Sequence, residues 1–423
     1  MISTPKIAII GAGPAGLTLA RLLRVSTKIE ARIYERDPSA TSRSDQGGTL
    51  DLHADSGLAA LRKCGLWDSF LRYARYDGDE KTMADKNATV FVHMPGGNDR
   101  PEIDRYRLRE VLLESVPKDW ILWRRQLREV TEDGMLVFEG IDQKEGPFDL
   151  IVGADGAWSK VRERVHGLKP TYAGVSGYEM EISEPAKTCP HVDKMVGRGA
   201  YMGASDSKLL NAQRMGDGSL KVRSWYVCPE NEAKETLVRY GKKETFEQIL
   251  LRYVGWAPEI LELLKRADVD SLRHWTLYEL PVGCRWQHQK GFTLIGDAAS
   301  LATPFSGEGV NKAMKDAIEL ADLIQKSQTQ DVLTLDEAVL KYEELMFPRA
   351  KKIQTMTMAN KEIMFGPDTP TALIPHMLAL MVSDSPSFFI RLLGTPPILA
   401  AFYSYFWVRK QIGWAVRRLW RRT

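Results

Sequence analysis

The chain has little of what metal or dithiol chemistry requires. Its four cysteines, Cys64, Cys189, Cys228 and Cys284, lie far apart and form no C-x-x-C pair. That spacing excludes a zinc ribbon or a dithiol redox centre and fits a reducing compartment. None of the seven histidines belongs to an H-x-x-x-H or H-E-x-x-H pattern, so no metal-ligand set is expected. No nucleophile–base pair suggests itself, and no catalytic side chain is assigned. Fixed-period repeats and low-complexity tracts are missing too. The N-terminus leaves no room for a signal peptide, because Lys6–Ile10 already reads as a strand. A cytoplasmic protein and a monomer are expected. Net charge is only +3, and residues 409–423 carry six Lys/Arg without an acid, leaving the rest slightly acidic. A nucleic-acid binder is therefore not expected.

What the chain does have is 423 residues, enough for two sub-domains, and three glycine-bearing segments. In the first, the buried-strand pattern Ile7–Ile10 runs into Gly11-Ala12-Gly13-Pro14-Ala15-Gly16 and then a helix over Leu17–Leu23. Gly11 permits a tight turn, Gly13 lets the backbone approach a pyrophosphate, and Gly16 lets helix and strand pack closely. The helix N-terminus then offers free N–H groups to phosphate. A second strand over Ala31–Arg36 ends in Glu35 and Arg36, with the acid placed to take ribose hydroxyls. These features predict a Rossmann-like dinucleotide fold of the α/β class. The second segment is the strand Leu150–Val152 with Gly153-Ala154-Asp155-Gly156, after which Ser159, Val161 and Arg162 open a helix. The third is Phe292–Ile295 with Gly296-Asp297, then Pro304, Gly307, Gly309 and Asn311, and a helix from Lys312 to about Lys326. Taken singly, Asp155 also reads as a turn acid, Asp297 as a helix N-cap and Arg105 as an exposed helix charge.

In this order the segments resemble the class A flavoprotein monooxygenases, the aromatic hydroxylases with the p-hydroxybenzoate hydroxylase fold. Gly47-Gly48-Thr49-Leu50-Asp51-Leu52-His53, Pro101–Arg105 and Tyr342–Phe347 look like the TetX-type, tetracycline-modifying branch. The resemblance implies that Gly11, Gly13, Ala15, Gly16, Glu35 and Arg36 serve the ADP half of FAD. It implies that Asp155 serves both FAD and NADPH, and that Asp297 meets the ribityl-phosphate. Pro304, Gly307, Gly309 and Asn311 then face the flavin ring, Asp51 contacts the ring region, Arg105 contacts FAD, and Arg43 meets NADPH. The implied reaction uses NADPH and O₂ to hydroxylate a phenolic or polycyclic molecule through a flavin C4a-hydroperoxide, in secondary metabolism or antibiotic modification. NADPH would visit transiently. The cofactor carries such chemistry while the protein binds, orients and keeps it dry. Epoxidation and Baeyer–Villiger insertion remain open on the same fold. So do a ligand-sequestering flavoprotein and a flavin halogenase, although no W-x-W-x-I-P motif is present.

The remaining segments divide the chain. Residues 1–78, 101–170 and 285–385 read as a discontinuous FAD-binding domain. Residues 79–100 and 171–284 read as an interleaved antiparallel sheet roofing the flavin, with alternating stretches such as Lys221–Val227. Tyr178, Glu179, Arg223 and Trp225 are the candidate substrate contacts, with ordinary sheet-face residues as the alternative. Glu179 stands where the TetX-type branch carries an amide, which argues against tetracycline itself. Residues 386–423 form an apolar and basic helical tail. Its run Ile398–Val408 is about half a bilayer span. With the basic flank, residues 398–423 read either as a peripheral membrane helix or as a helix bridging the sub-domains.

Overall fold

The computed structural model describes residues 4–42, 47–97, 99–329, 333–367 and 369. The expected tail and Arg43 lie outside the described residues.

Two sheets organise the chain. The first has five parallel strands in the order Phe292–Leu294, Leu150–Gly153, Ile7–Ile10, Ala31–Tyr34 and Ile121–Leu122. Every residue of Ile7–Ile10 and Leu150–Gly153 is buried, as strands covered on both faces require. The helix Pro14–Ser26 starts on a proline in its first turn, where the missing N–H costs nothing. It buries Leu17, Leu19, Leu22 and Leu23 and packs against the helix Gly309–Thr329. Both helices exceed their expected lengths, because their glycines lie within or at the first turn.

The second sheet has seven strands in the order Asp268–Glu279, Thr171–Ile182, Leu220–Val227, Lys208–Arg214, Ala200–Ser205, Lys81–Ala84 and Val90–Met94. It is mixed, since Ala200–Gly203 pairs in parallel with Lys81–Ala84 and the other pairs are antiparallel. Alternation along each strand gives two distinct faces. One face packs Tyr178, Met180 and Tyr226 against Tyr253, Trp256 and Ile260 of the helical segments behind it. The other face carries Val175, Leu209 and Trp225, with Met364 and Phe365 against them.

A separate two-stranded antiparallel ribbon pairs Thr49–Asp51 with Glu102–Asp104. The long helix Leu335–Met364, opened by a Thr334/Glu337 capping box, braces the third glycine segment. Tyr342 donates to the Leu294 carbonyl, and Glu343 accepts from Thr293, Trp286 and His288. Among the described residues no helix is long and apolar enough to cross a membrane.

Candidate active site

The three glycine segments emerge at the carboxyl ends of three neighbouring parallel strands, and they touch. A Cβ on Gly11, whose φ is +109°, would strike the Ala154 carbonyl. One on Gly16 would lie 3.3 Å from the Ala154 side chain, and one on Gly296 would lie 3.3 Å from Ala15. These glycines are needed for close packing. Gly13 and Gly309 are different, for a Cβ on either meets nothing within 4 Å. Their backbones border open space at the starts of the two long helices, where N–H groups point outward.

Glu35 is buried and ties the first segment down. Its Oε2 accepts from the Ala12 N–H at 2.6 Å and its Oε1 from the Asp37 N–H at 3.0 Å. Arg36, next in the chain, is exposed. Asp155 accepts from the Lys160 N–H through Oδ2 at 2.8 Å. Its Oδ1 is buried without a hydrogen-bond partner among the described residues, and burial raises the carboxyl's pKa. Asp297 starts the short helix Asp297–Ser300 with its carboxylate half exposed, 3.5 Å from Lys312 Nζ.

A second group of site residues gathers around Asp51. Gly307 has φ +72°, and a Cβ there would come within 3.5 Å of the Asp51 carboxylate. Pro304, Gly307 and Gly309 are exposed. Burial pushes the Asp51 carboxyl up, but the hydrogen bond from His53 and the nearby Lys81 outweigh it and bring it to about 2. Arg105 opens the helix Arg105–Glu114, its N–H donating to the Gly48 carbonyl and its side chain running beside Gly47. Above Gly48 lies Arg223, which donates to Glu179 Oε2 at 2.6 Å and to Gln213 Oε1 at 3.2 Å. Gln213 donates in turn to Thr49, and Thr49 to Glu102 Oε2 at 2.7 Å. Glu102 is almost fully buried, and burial pushes it up to about 7 against the pull of Thr49 and Arg75. This polar chain couples the seven-stranded sheet to the two-stranded ribbon. Beside it stands the apolar cluster of Trp225, Met83 and Met364, with Phe305 of the Pro304–Ser306 turn packed against it.

One expected residue is placed otherwise. Tyr178 is corrected: period-two alternation points it to the far face, away from Glu179, and its hydroxyl donates to the Ala233 carbonyl. Asn311 lies in the first turn of Gly309–Thr329, with its buried amide engaged in structure. Its Nδ2 donates to the Asp51 carbonyl and its Oδ1 accepts from the His53 N–H. Only its backbone remains available at the helix start. Several cations carry the architecture without standing out in the sequence. Arg162 donates to the carbonyls of Ala157, Leu168, Asp297 and Ala298, stitching the second segment to the third. Arg109 ties the Ala12 and Ala40 carbonyls to Asp37, and Lys312 reaches Ser300. Arg162 follows Asp155-Gly156 at a fixed short distance, which is a signal; Arg109 and Lys312 offer none. Among the described residues no cluster of His, Cys, Asp and Glu could hold a metal ion.

A family model described as an FAD binding domain matches residues 4–353. The chain belongs to the FAD-binding-domain family of flavin monooxygenases. It is 32% identical to the monooxygenase asqM of Emericella nidulans, over 85% of this chain and 96% of that protein. In fold it is similar to HpxO of Klebsiella pneumoniae, solved with FAD and uric acid, at a TM-score of 0.71 and 18% identity over 94% and 95% of the two chains. The tetracycline destructase Tet(51) is another structural relative, at a TM-score of 0.66 and 17% identity over 93% and 98%. The chain is thus an FAD-dependent oxidoreductase of the monooxygenase kind. Its residues fit the cofactor: Gly13 and Gly309 leave backbone open to it, and Asp155 Oδ1 offers a buried acceptor.

Proposed function

We propose that the chain hydroxylates a phenolic or polycyclic small molecule of secondary metabolism, with NADPH as electron donor and O₂ as oxygen source. The sheet face beside the Pro304–Gly309 loop supports this reading most. There Arg223, Glu179 and Gln213 adjoin the apolar side chains of Trp225, Met83 and Phe305. A flat, largely apolar ligand with a few oxygen substituents suits such a mixture.

When bound, FAD supplies hydride acceptance and oxygen activation. In this proposal the Gly11–Gly16 backbone and the start of Pro14–Ser26 hold the pyrophosphate, and Glu35 takes ribose hydroxyls. Asp297 takes the ribityl-phosphate, with Asp155 beside it. Arg105 and Asp51 border the ring, and N–H groups at the start of Gly309–Thr329 stabilise negative charge developing there. Arg223 orients the substrate's oxygen, Trp225 packs on its rings, and Glu179 keeps the guanidinium in place. Residues 1–78, 101–170 and 285–385 would act as the cofactor unit, and 79–100 with 171–284 as the substrate unit. The proposal extends to a peripheral membrane contact through residues 398–423. Loss of binding to anionic vesicles on deleting 398–423 would support it, and vesicle binding by neither protein would reject it.

Aerobic turnover with a panel of polyketide phenols, read by product mass for oxygen gain and by NMR for the position of the oxygen, tests the function. Gain of one oxygen on an aromatic carbon is expected. Ring expansion to a lactone or an epoxide would replace hydroxylation by the corresponding insertion, and no oxygen gain would reject the proposal.

A further inference from the structure

His53 closes the GGTLDLH string, and none of the cofactor or substrate roles above employs it. The structure sets its imidazole between two carboxylates from different parts of the chain. Nε2 lies 3.4 Å from Asp51 Oδ2 on the two-stranded ribbon, and Nδ1 lies 3.4 Å from Glu308 Oε1 in the Pro304–Gly309 loop. The arrangement is anchored from behind, because Asn311 Oδ1 accepts the His53 N–H at 2.9 Å and Asn311 Nδ2 donates to the Asp51 carbonyl at 2.8 Å. The helix that follows the loop therefore fixes the residue between its two acids. All three side chains are mostly buried, with Glu308 the most exposed of them.

The charges facing this row differ at its two ends. Asp51 feels Lys81 of the seven-stranded sheet, while Glu308 feels the exposed Arg100 and Asp55 at the surface. Burial raises Glu308, whereas Asp51 is held at about 2. Glu308 is the more exposed of the two acids and faces the surface charges. An ionised Asp51 orients the ring and stabilises its charged form, as a carboxylate does for a general-acid histidine.

Oxygen transfer consumes a proton. Hydroxylating a substrate C–H with O₂, NADPH and one proton gives the C–OH product, NADP⁺ and water. The nicotinamide C–H, the substrate C–H and the O–O bond break, C–O and O–H bonds form, and the second oxygen leaves as water carrying the imported proton. Without substrate, anionic reduced flavin, O₂ and one proton give oxidised flavin and hydrogen peroxide, so a proton is consumed there too.

We propose that His53, held between Glu308 and Asp51, carries the proton that each reoxidation consumes from the surface into the flavin groove. Glu308 hands the proton to Nδ1, and Nε2 releases it past the anionic Asp51. The proposal rests on the family's flavin chemistry but not on the identity of the substrate.

The test uses FAD-loaded enzyme without substrate. His53→Gln keeps a planar polar side chain but has no transferable proton. The enzyme is reduced with dithionite, mixed with aerated buffer, and flavin reoxidation is followed by absorbance across pH 6 to 8. Reoxidation of His53→Gln should slow by about a hundredfold at the alkaline end, the low edge of what a positioned proton carrier supplies. Added imidazole should restore the rate, while FAD affinity and melting temperature stay at wild-type values. Glu308→Gln should slow reoxidation in the same direction and serves if His53→Gln folds poorly. An unchanged rate in both variants would overturn the proposal. So would a slow rate that imidazole does not rescue and that accompanies weakened FAD binding, since that marks a structural role. If wild-type protein failed to bind FAD, the flavin reading itself would fall, and this outcome is separate from the others.

Discussion

Glu102 offers a pH-dependent prediction with a definite sign. Its carboxyl lies in the two-stranded ribbon, with Thr49 and Arg75 as partners, and burial raises its pKa from 4.5 to about 7. A carboxyl raised in the folded state binds its proton more tightly there than in the unfolded chain. The folded state is therefore favoured below about 4.5, and that advantage is lost as pH rises towards 7. Above the window the ionised group destabilises the fold by up to roughly 3 kcal/mol, taking about 1.4 kcal/mol per pKa unit. Glu102→Gln can still accept from Thr49 but cannot ionise. Denaturant unfolding of both FAD-saturated proteins at several pH values from about 4.5 to 8 measures the difference. The variant should gain on wild type by about 2–3 kcal/mol across this window and then run parallel to it. A stability difference that is flat with pH, or that grows in favour of wild type as pH rises, would refute the reasoning.

Four further outcomes follow from the geometry. Gly13→Ala should leave the melting temperature of the FAD-free protein unchanged while weakening FAD binding in a fluorescence titration, because its Cβ enters open space. Gly11→Ala should lower the melting temperature as well, since its Cβ meets the Ala154 carbonyl at a left-handed φ. Arg162→Leu strips four carbonyls of a shared donor and should cost about 3 kcal/mol or more in denaturant unfolding; a loss below about 1 kcal/mol would contradict the stitching role. Arg223→Ala leaves Glu179 buried without its cation and should destabilise by about 3 kcal/mol, while Arg223→Met with Glu179→Gln should recover most of that loss. Substrate affinity of the paired variant then reads the recognition role separately from stability.

The glycine segments were legible because each needs a small residue at a strand end for a geometric reason that sequence displays directly. Glu35 was legible for its position at the end of the second strand, although its bonds to the Ala12 and Asp37 N–H groups were not. Period-two alternation could have separated Tyr178 from Glu179; grouping them overlooked that neighbours on a strand face opposite ways. The place of Asn311 in a motif was legible, but the partner of its buried amide was not, because that partner is a strand carbonyl some 260 residues earlier. Arg109 and Lys312 stayed invisible because their partners are mostly distant carbonyls. Such partners leave no trace in periodicity or composition.

The central claim is that one FAD site joins the three glycine segments and drives oxygen transfer. Purified protein loaded with FAD should be given NADPH and ¹⁸O₂ with the phenol panel, and the products weighed. The account predicts one bound FAD per chain, NADPH oxidation accelerated by the accepted phenol, and a product carrying a single ¹⁸O atom. Protein that binds no FAD, or that oxidises NADPH without placing ¹⁸O in any member of the panel, would contradict it.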